Sequence, residues 1–278
     1  MTQPTKVSFI SSWNQNSDQL LEMYKKQTPD NSGIWGDIQG TQNIKEAEYL
    51  ISMGSNTNIG NLGFESNKII EFRREPDFIS SFKSFPNTKR TFDYSKNSYH
   101  VCTWHFILES FDELIKREYE EKTKKMSTIC SPKWNHRNKF LKEVSKQNTG
   151  QIDMFGPPSM QKVFGANYRP LHPKYKDAAL NNYEYSIAIE NSQQDNYFSE
   201  KLIDCYLFWT MPIYWGCPNI SEFFPENSYY VIDLARPEDI KEIIKKPIEK
   251  KHIDALKEAR NLVLYKYNIW PTVAEILK

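Results

Sequence analysis

The sequence has almost no net charge: 36 Lys and Arg stand against 35 Asp and Glu, a formal +1 over 278 residues. No global field draws such a chain to a polyanion, so nucleic acid is not an expected partner and any anion site has to be local. Long apolar runs are missing as well. None reaches the roughly 20 residues of a membrane span, and the opening "MTQPTKVSFISSW" lacks the basic-then-apolar order of a secretory leader. The expectation is a soluble, cytoplasmic chain with no transmembrane segment and at most a peripheral membrane attachment.

Cysteine is sparse and scattered. Cys102, Cys130, Cys205 and Cys217 sit in apolar surroundings with no CxxC pair, which predicts buried free thiols in a reducing compartment rather than disulfides or zinc. His100, His105, His136, His172 and His252 are too dispersed for a metal site, and in "VCTWHFI" His105 alternates onto the polar side with Thr103. There is no Asp-x-Asp pair, HExxH, Walker lysine motif or GxSxG elbow, and "GNLG" (60–63) lacks the third glycine and the helix of a dinucleotide fingerprint. No metal and no cofactor are expected.

What is present is an alternation of strands and helices. "KVSFISSW" (6–13) predicts a first strand and "DQLLEMYKKQ" a helix; "AEYLISMGS" and "NKIIEFRRE" predict further strands. "YHVCTWHFI" predicts another extended segment, and "ESFDELIKREYEEKTKK" a helix with a solvated charged face. A second series follows: strands at "MSTICS", "IDMFG", "EYSIAIEN", "MPIYWG" and "SYYVIDL", and helices at "NHRNKFLKEVSK" and 200–209. Length and pattern together predict an α/β fold of two Rossmann-like, doubly wound domains facing a cleft, residues 1–125 and 126–278; the pattern leaves open whether the last helix packs back on the first domain. Ligands of such sheets sit beyond the carboxyl ends of the strands.

Four places on this plan carry candidate chemistry. The stretch "YFSEKLIDCYLFWTMPIYWG" (197–216) puts Ser199 as N-cap before a helix whose first turn holds Glu200 and Lys201. A cation is mildly unfavourable at a helix N-terminus unless an anion is bound there, so a diphosphate suits the position. Glu200 suits ribose hydroxyls, and Tyr197 a base or sugar. The plainer alternative has Glu200 complementing the helix dipole and Lys201 reaching to solvent. Glu190 and Asn191 end the preceding strand. Arg137 opens the helix after "STICSPKW", as a guanidinium fork for phosphate or as an ordinary surface arginine. Glu75 ends the segment "FRREP", as a general base or as the partner of Arg73 or Arg74.

"YSIAIENS" followed by "DNYFSEKLIDCYLFWTMPIYWG" resembles the donor-binding motif of the α-1,3-fucosyltransferases, glycosyltransferase family ten. In that motif a strand ends in Phe-Glu-Asn-Ser, Tyr-x-Thr-Glu-Lys opens a helix, and a Pro-x-x-x-Gly strand follows. Here Ile189 replaces the Phe and Ser199 the Thr, which keeps an apolar strand residue and a hydroxyl cap. "NHRNKF" looks like the family's Arg-x-x-Phe helix start, "FRREP" like its first-domain Glu segment, and "TPDNSGIWGDIQ" like a short motif of bacterial and viral-type members.

The resemblance implies a GT-B type fold and an inverting transfer of fucose from GDP-fucose to a glycan hydroxyl, at O3 of GlcNAc or Glc, without a metal. By the same resemblance Glu75 is the catalytic base, and Arg137 and Lys201 hold the diphosphate. Glu200 holds the ribose, Tyr197 encloses the nucleotide, and Asn191 lies nearby. GDP-fucose and a glycan acceptor are then the partners. Two alternatives stay open: another nucleotide sugar in the same grip, or an inactive domain that binds glycans or nucleotides.

Overall fold

The computed structural model describes residues 3–11, 15–54, 62–76, 90–95, 98–104, 106–148, 150–165, 168–172 and 175–278. His105, residues 12 and 13 of the first predicted strand, and residues 60 and 61 of "GNLG" lie outside that set. Two compact units divide the chain. One comprises Met1–Thr103, Glu109–Lys116 and Leu264–Lys278; the other comprises Trp104–Leu108 and Arg117–Val263.

In the first unit, β1 (Thr5–Ser11), β2 (Ile34–Trp35), β3 (Ile38–Gly40), β4 (Tyr49–Met53), β5 (Ile69–Phe72) and β6 (Arg90–Phe92) form one sheet in the order β2-β3-β1-β4-β5-β6. All neighbours run parallel except the β2–β3 pair, a tight hairpin whose loop begins with Gly36 at φ 56°. The run from β3 to β6 has the flavodoxin-like order. Helix α1 (Ser17–Lys25) starts at a capping box: Gln19 N–H donates to Asn16 Oδ1 at 2.8 Å and Asn16 N–H to Gln19 Oε1 at 3.1 Å. Its buried face of Leu20, Leu21 and Tyr24 packs with Val7, Phe9, Ile51 and Phe72 of the sheet.

The same core takes in Ile269, Trp270 and Val273 from the final helix of the chain, Ile269–Leu277. Trp270 Nε1 donates to the Tyr24 carbonyl at 2.7 Å, and Asn268, the N-cap of that helix, donates through Nδ2 to the Gln27 carbonyl at 2.8 Å.

The second unit holds β7 (Lys124–Ile129), β8 (Ile152–Gly156), β9 (Tyr168–Pro170), β10 (Tyr183–Ile189), β11 (Met211–Trp215) and β12 (Tyr230–Val231). This sheet is wholly parallel in the order β12-β11-β10-β7-β8-β9. The chain winds outward from β7 to β9, then returns to lay β10 on the other side of β7. That reversal is the doubly wound Rossmann order, and it opens a crevice beyond the carboxyl ends of β7 and β10. β10 is buried at Tyr185 through Ile189, as a central parallel strand covered on both faces must be. The helices around this sheet include α3 (Asn135–Gln147), α4 (Gln161–Phe164), α5 (Asp177–Leu180) and α6 (Glu200–Leu207).

Two local expectations fail. "ESFDELIKREYEEKTKK" is helical only over α2 (Phe111–Lys116). Beyond it Arg117 Nη1 donates to Asn181 Oδ1 at 2.5 Å, Lys122 Nζ donates to the Asn181 and Phe208 carbonyls at 2.8 and 2.7 Å, and Trp209 Nε1 donates to the Arg117 carbonyl. These bonds hold the charged run to the second unit as extended chain, and the boundary expected at 125/126 falls at 116/117. "YHVCTWHFI" forms no strand among its described residues, only a bridge between Cys102 and Asn268.

Candidate functional site

A cavity of about 230 Å³ occupies the crevice of the second unit. Its walls come from the end of β7 with Cys130 and Ser131, from β10 and Asn191, from Trp134 and Arg137 around the start of α3, from Lys176 and Leu180, and from one face of α6. The i, i+4 spacing of a helix puts Glu200 and Asp204, and likewise Lys201 and Cys205, on that face.

Arg137 lies in the first turn of α3 with only 4% of its surface exposed. Nη1 donates to the Ile189 carbonyl at 2.9 Å, while Nε is buried without a hydrogen-bond partner. Burial pulls its pKa below the ordinary arginine value; Glu190 and Glu200 act against that pull. The guanidinium is therefore a fixed cation with a donor to spare, in a wall of the cavity.

Glu190 ends β10 fully buried. Its Oε1 accepts from Ser199 N–H at 2.7 Å and its Oε2 from Ser199 Oγ at 2.6 Å, so the strand end ties down the residue that starts α6. Ser199 caps α6 by accepting from Lys201 N–H. Lys201 Nζ then lies 3.0 Å from Glu200 Oε1, 3.5 Å from Glu190 Oε2 and 3.0 Å from Ser199 Oγ. Burial works against the Lys201 ammonium, but Glu200 and then Glu190 outweigh it and hold its pKa above the usual lysine value. For Glu190 burial wins over Lys201, and its pKa is raised. Lys201 thus pairs with carboxylates and does not reach out to solvent. Gly216 keeps the floor open for this arrangement, because a Cβ there would come 2.5 Å from both Glu190 Cγ and the Tyr214 hydroxyl.

Two charged residues of the cavity escaped the reading of the sequence. Lys176, just before α5 and 9% exposed, places Nζ 2.9 Å from Asp204 Oδ2 and 3.8 Å from Glu200 Oε1, over the ring of Phe106 at 5.0 Å. Asp204 is 2% exposed, its Oδ1 is buried without a hydrogen-bond partner, and burial raises its pKa to about 6 against the pull of Lys176. The signal for Asp204 was its place inside the apolar run "LIDCYL". Lys176 left none, since only the folded chain brings it to α6.

Arg137, Asn191, Glu200 and Lys201 share the cavity. Tyr197 does not: its ring is 1% exposed and off the lining. The loop turns at Asn196, φ 63°, pinned where Asn219 Oδ1 accepts from Asn196 N–H and Asn219 Nδ2 donates to Asn196 Oδ1, both at 2.8 Å. That turn puts the ring inside the protein, off the cavity wall. Glu75 belongs to the first unit, half-buried in the bend after β5, next to Arg74, whose Nη1 donates to Thr103 Oγ1 at 2.7 Å. All four cysteines are buried and free. Among the described residues no helix is long and apolar enough to cross a membrane.

The model of glycosyltransferase family 10 (fucosyltransferase), C-terminal domain, matches residues 119–254. The chain is 28% identical over 206 residues to alpha-(1,3)-fucosyltransferase B of Drosophila melanogaster, covering 69% of this chain and 44% of that protein. It is 35% identical over 74 residues to alpha-(1,3)-fucosyltransferase FucT of Helicobacter pylori, covering 27% of this chain and 14% of that one. The matches thus span less than half the length of these curated relatives. In fold, the chain is similar to a crystal structure of an alpha1,3-fucosyltransferase with GDP-fucose, at a TM-score of 0.50 and 17% identity over 94% of this chain and 83% of that one. Each of its two doubly wound units has the build found in the GT-B fold. Residues 119–254 are thus similar to the C-terminal domain of glycosyltransferase family 10, the fucosyltransferases.

Proposed function

We propose that the protein is an inverting fucosyltransferase that moves fucose from GDP-fucose to a hydroxyl of a glycan, O3 of GlcNAc or Glc being the favoured acceptor position. One observation carries the reading: Arg137 and Lys201 stand on one cavity with Glu200, at the first turn of α6 and at the reversal of the sheet order. Two cations beside a helix N-terminus make an anion site, and the carboxylate between them suits hydroxyl donors. The names of the relatives and the GDP-fucose of the similar crystal structure support the same donor.

In this reading the acceptor oxygen bonds to the anomeric carbon as the bond from that carbon to the phosphate oxygen breaks, which inverts the centre. Glu75 takes the proton of the acceptor hydroxyl. The departing diphosphate gains negative charge, and Arg137, Lys201 and the N–H groups of α6 are placed to meet it without a metal ion. Glu200 accepts from the ribose, and Glu190 acts through Ser199 and Lys201 by fixing their positions.

The test is the melting temperature of the purified chain titrated with GDP, GDP-fucose, GDP-mannose, UDP and UDP-galactose, followed by a transfer assay with the donor that binds. A ligand at about 100 times its Kd adds roughly 2.7 kcal/mol to the stability of the native state. Stabilisation by GDP and GDP-fucose, with fucose transferred to a GlcNAc-containing acceptor, is the expected result. A preference for uridine nucleotides overturns the donor, and binding without transfer turns the reading into that of a nucleotide-binding domain.

A further inference from the structure

Lys176 stands at the centre of a charge relay that neither the motif at 197–216 nor Arg137 accounts for. Its ammonium reaches Asp204 at 2.9 Å and Glu200 Oε1 at 3.8 Å, the same carboxylate oxygen that Lys201 meets at 3.0 Å. A buried ion pair is weak evidence for stability, because desolvation offsets much of the attraction. Here one oxygen of the pair, Asp204 Oδ1, is buried with no hydrogen-bond partner. The pair costs desolvation, then, without satisfying all of its own polar atoms. What it does achieve is geometric: Asp204 fixes Lys176, and Lys176 adds a second cation to the Glu200 oxygen that Lys201 holds.

We propose that Lys176, anchored by Asp204, is a positioning residue that orients the Glu200 carboxylate toward the ribose hydroxyls of the nucleotide. The inference rests on the donor-site reading given above. Phe106 backs the lysine at 5.0 Å from its ring centre, which limits where the ammonium can go. Removing the lysine leaves Asp204 as an unpaired buried carboxylate and takes one of the two cations from Glu200 Oε1.

The experiment compares the affinities of GDP, 2′-deoxy-GDP and 3′-deoxy-GDP for the wild-type chain and for Lys176→Met, Lys176→Arg and Asp204→Asn. A hydroxyl donated to an oriented carboxylate makes the wild type prefer GDP over at least one deoxy analogue by about tenfold or more. In Lys176→Met that ratio falls to within about threefold, and in Lys176→Arg it is largely retained because the charge is kept. A structural role alone lowers the affinity for all three nucleotides together and leaves the ratio unchanged; that result overturns the inference while the donor site stands. Absence of GDP binding by the wild-type chain overturns the donor-site reading and the inference with it. If Lys176→Met fails to fold, Asp204→Asn keeps the volume and the lysine but loosens its anchor. The ratio then falls if Asp204 anchors Lys176, and an unchanged ratio overturns the inference.

Discussion

Glu190 accepts both hydrogen bonds that Ser199 can donate, at 2.7 and 2.6 Å, and so the residue after one strand sets the start of the helix that lines the cavity. Ser199→Ala removes the hydroxyl from this pair and from the cap of α6. The expected loss is about 1–3 kcal/mol of stability, from the lost cap and the buried carboxylate oxygen left without its partner. Denaturant unfolding of the variant beside the wild type measures it, and an unchanged midpoint would show that the Glu190 tie does not hold the helix start.

Arg137→Lys keeps a positive charge but loses the fork that bonds the Ile189 carbonyl and still has Nε to offer. Lys201→Met removes the second cation. Each is expected to lower kcat with GDP-fucose by about 10²–10³-fold, by analogy with removal of one oxyanion donor. Steady-state kinetics on variants with a native circular dichroism spectrum decide it; a change confined to KM would mean that the residue acts on ground-state binding alone.

For the proposed base, Glu75→Gln removes the carboxylate while keeping the size of the side chain. Donor affinity, read by calorimetry with GDP-fucose, is expected to stay at the wild-type value while transfer is abolished. Substantial remaining turnover would remove Glu75 from the mechanism.

Metal independence has its own check. Turnover of GDP-fucose after exhaustive treatment with a chelator is expected to match the untreated enzyme, since the cations proposed to meet the diphosphate are Arg137 and Lys201. Activity that disappears with the chelator and returns with a divalent ion would assign that charge to a metal.

Asp204 provides a pH prediction. Burial raises its pKa from 3.8 to about 6, with Lys176, Glu200 and Lys201 as the charged groups around it. Between those values the native chain holds a proton that the unfolded chain has released, so stability from this group is present below pH 3.8 and is lost as pH rises through about 6. Asn does not titrate. The stability of Asp204→Asn relative to wild type should therefore improve by about 2 kcal/mol from pH 4 to pH 7, since each pH unit well inside the interval between the two pKa values is worth about 1.36 kcal/mol. Chemical unfolding of both proteins across that range gives the difference, and a flat difference would place Asp204 at an ordinary carboxylate pKa.

Much of the second unit was legible from local pattern. "IDMFG" coincides with β8, and the helix that Ser199 caps starts at Glu200 as expected and ends at Leu207, two residues early, because apolar runs, an N-cap and polar loops all point the same way there. The charge run after α2 misled for the opposite reason: its helical composition is overruled by three side-chain ties to Asn181, Phe208 and Trp209 that no local window contains. Lys201 was noticed as a cation in an unfavourable place, and a fully buried carboxylate nine residues before Ser199 supplies a partner. The inward turn of Tyr197 depends on Asn196 and Asn219 meeting across 23 residues, and the approach of Lys176 to Asp204 spans 28. Such contacts are products of the fold, and local spacing does not encode them.

The placement of Trp270 has a consequence for how the protein is made. The first unit draws Ile269, Trp270 and Val273 into its core, and the Trp270 to Tyr24 bond joins positions 246 residues apart. A ribosome adds roughly 5–20 residues per second, so the opening strands spend many seconds with part of their apolar surface uncovered. The sheet of the second unit, drawn from one continuous stretch between Lys124 and Val231, has all its strands sooner. Synthesis order and folding order thus run opposite ways: the half that emerges first is completed last, and a truncation at the carboxyl terminus injures the amino-terminal core.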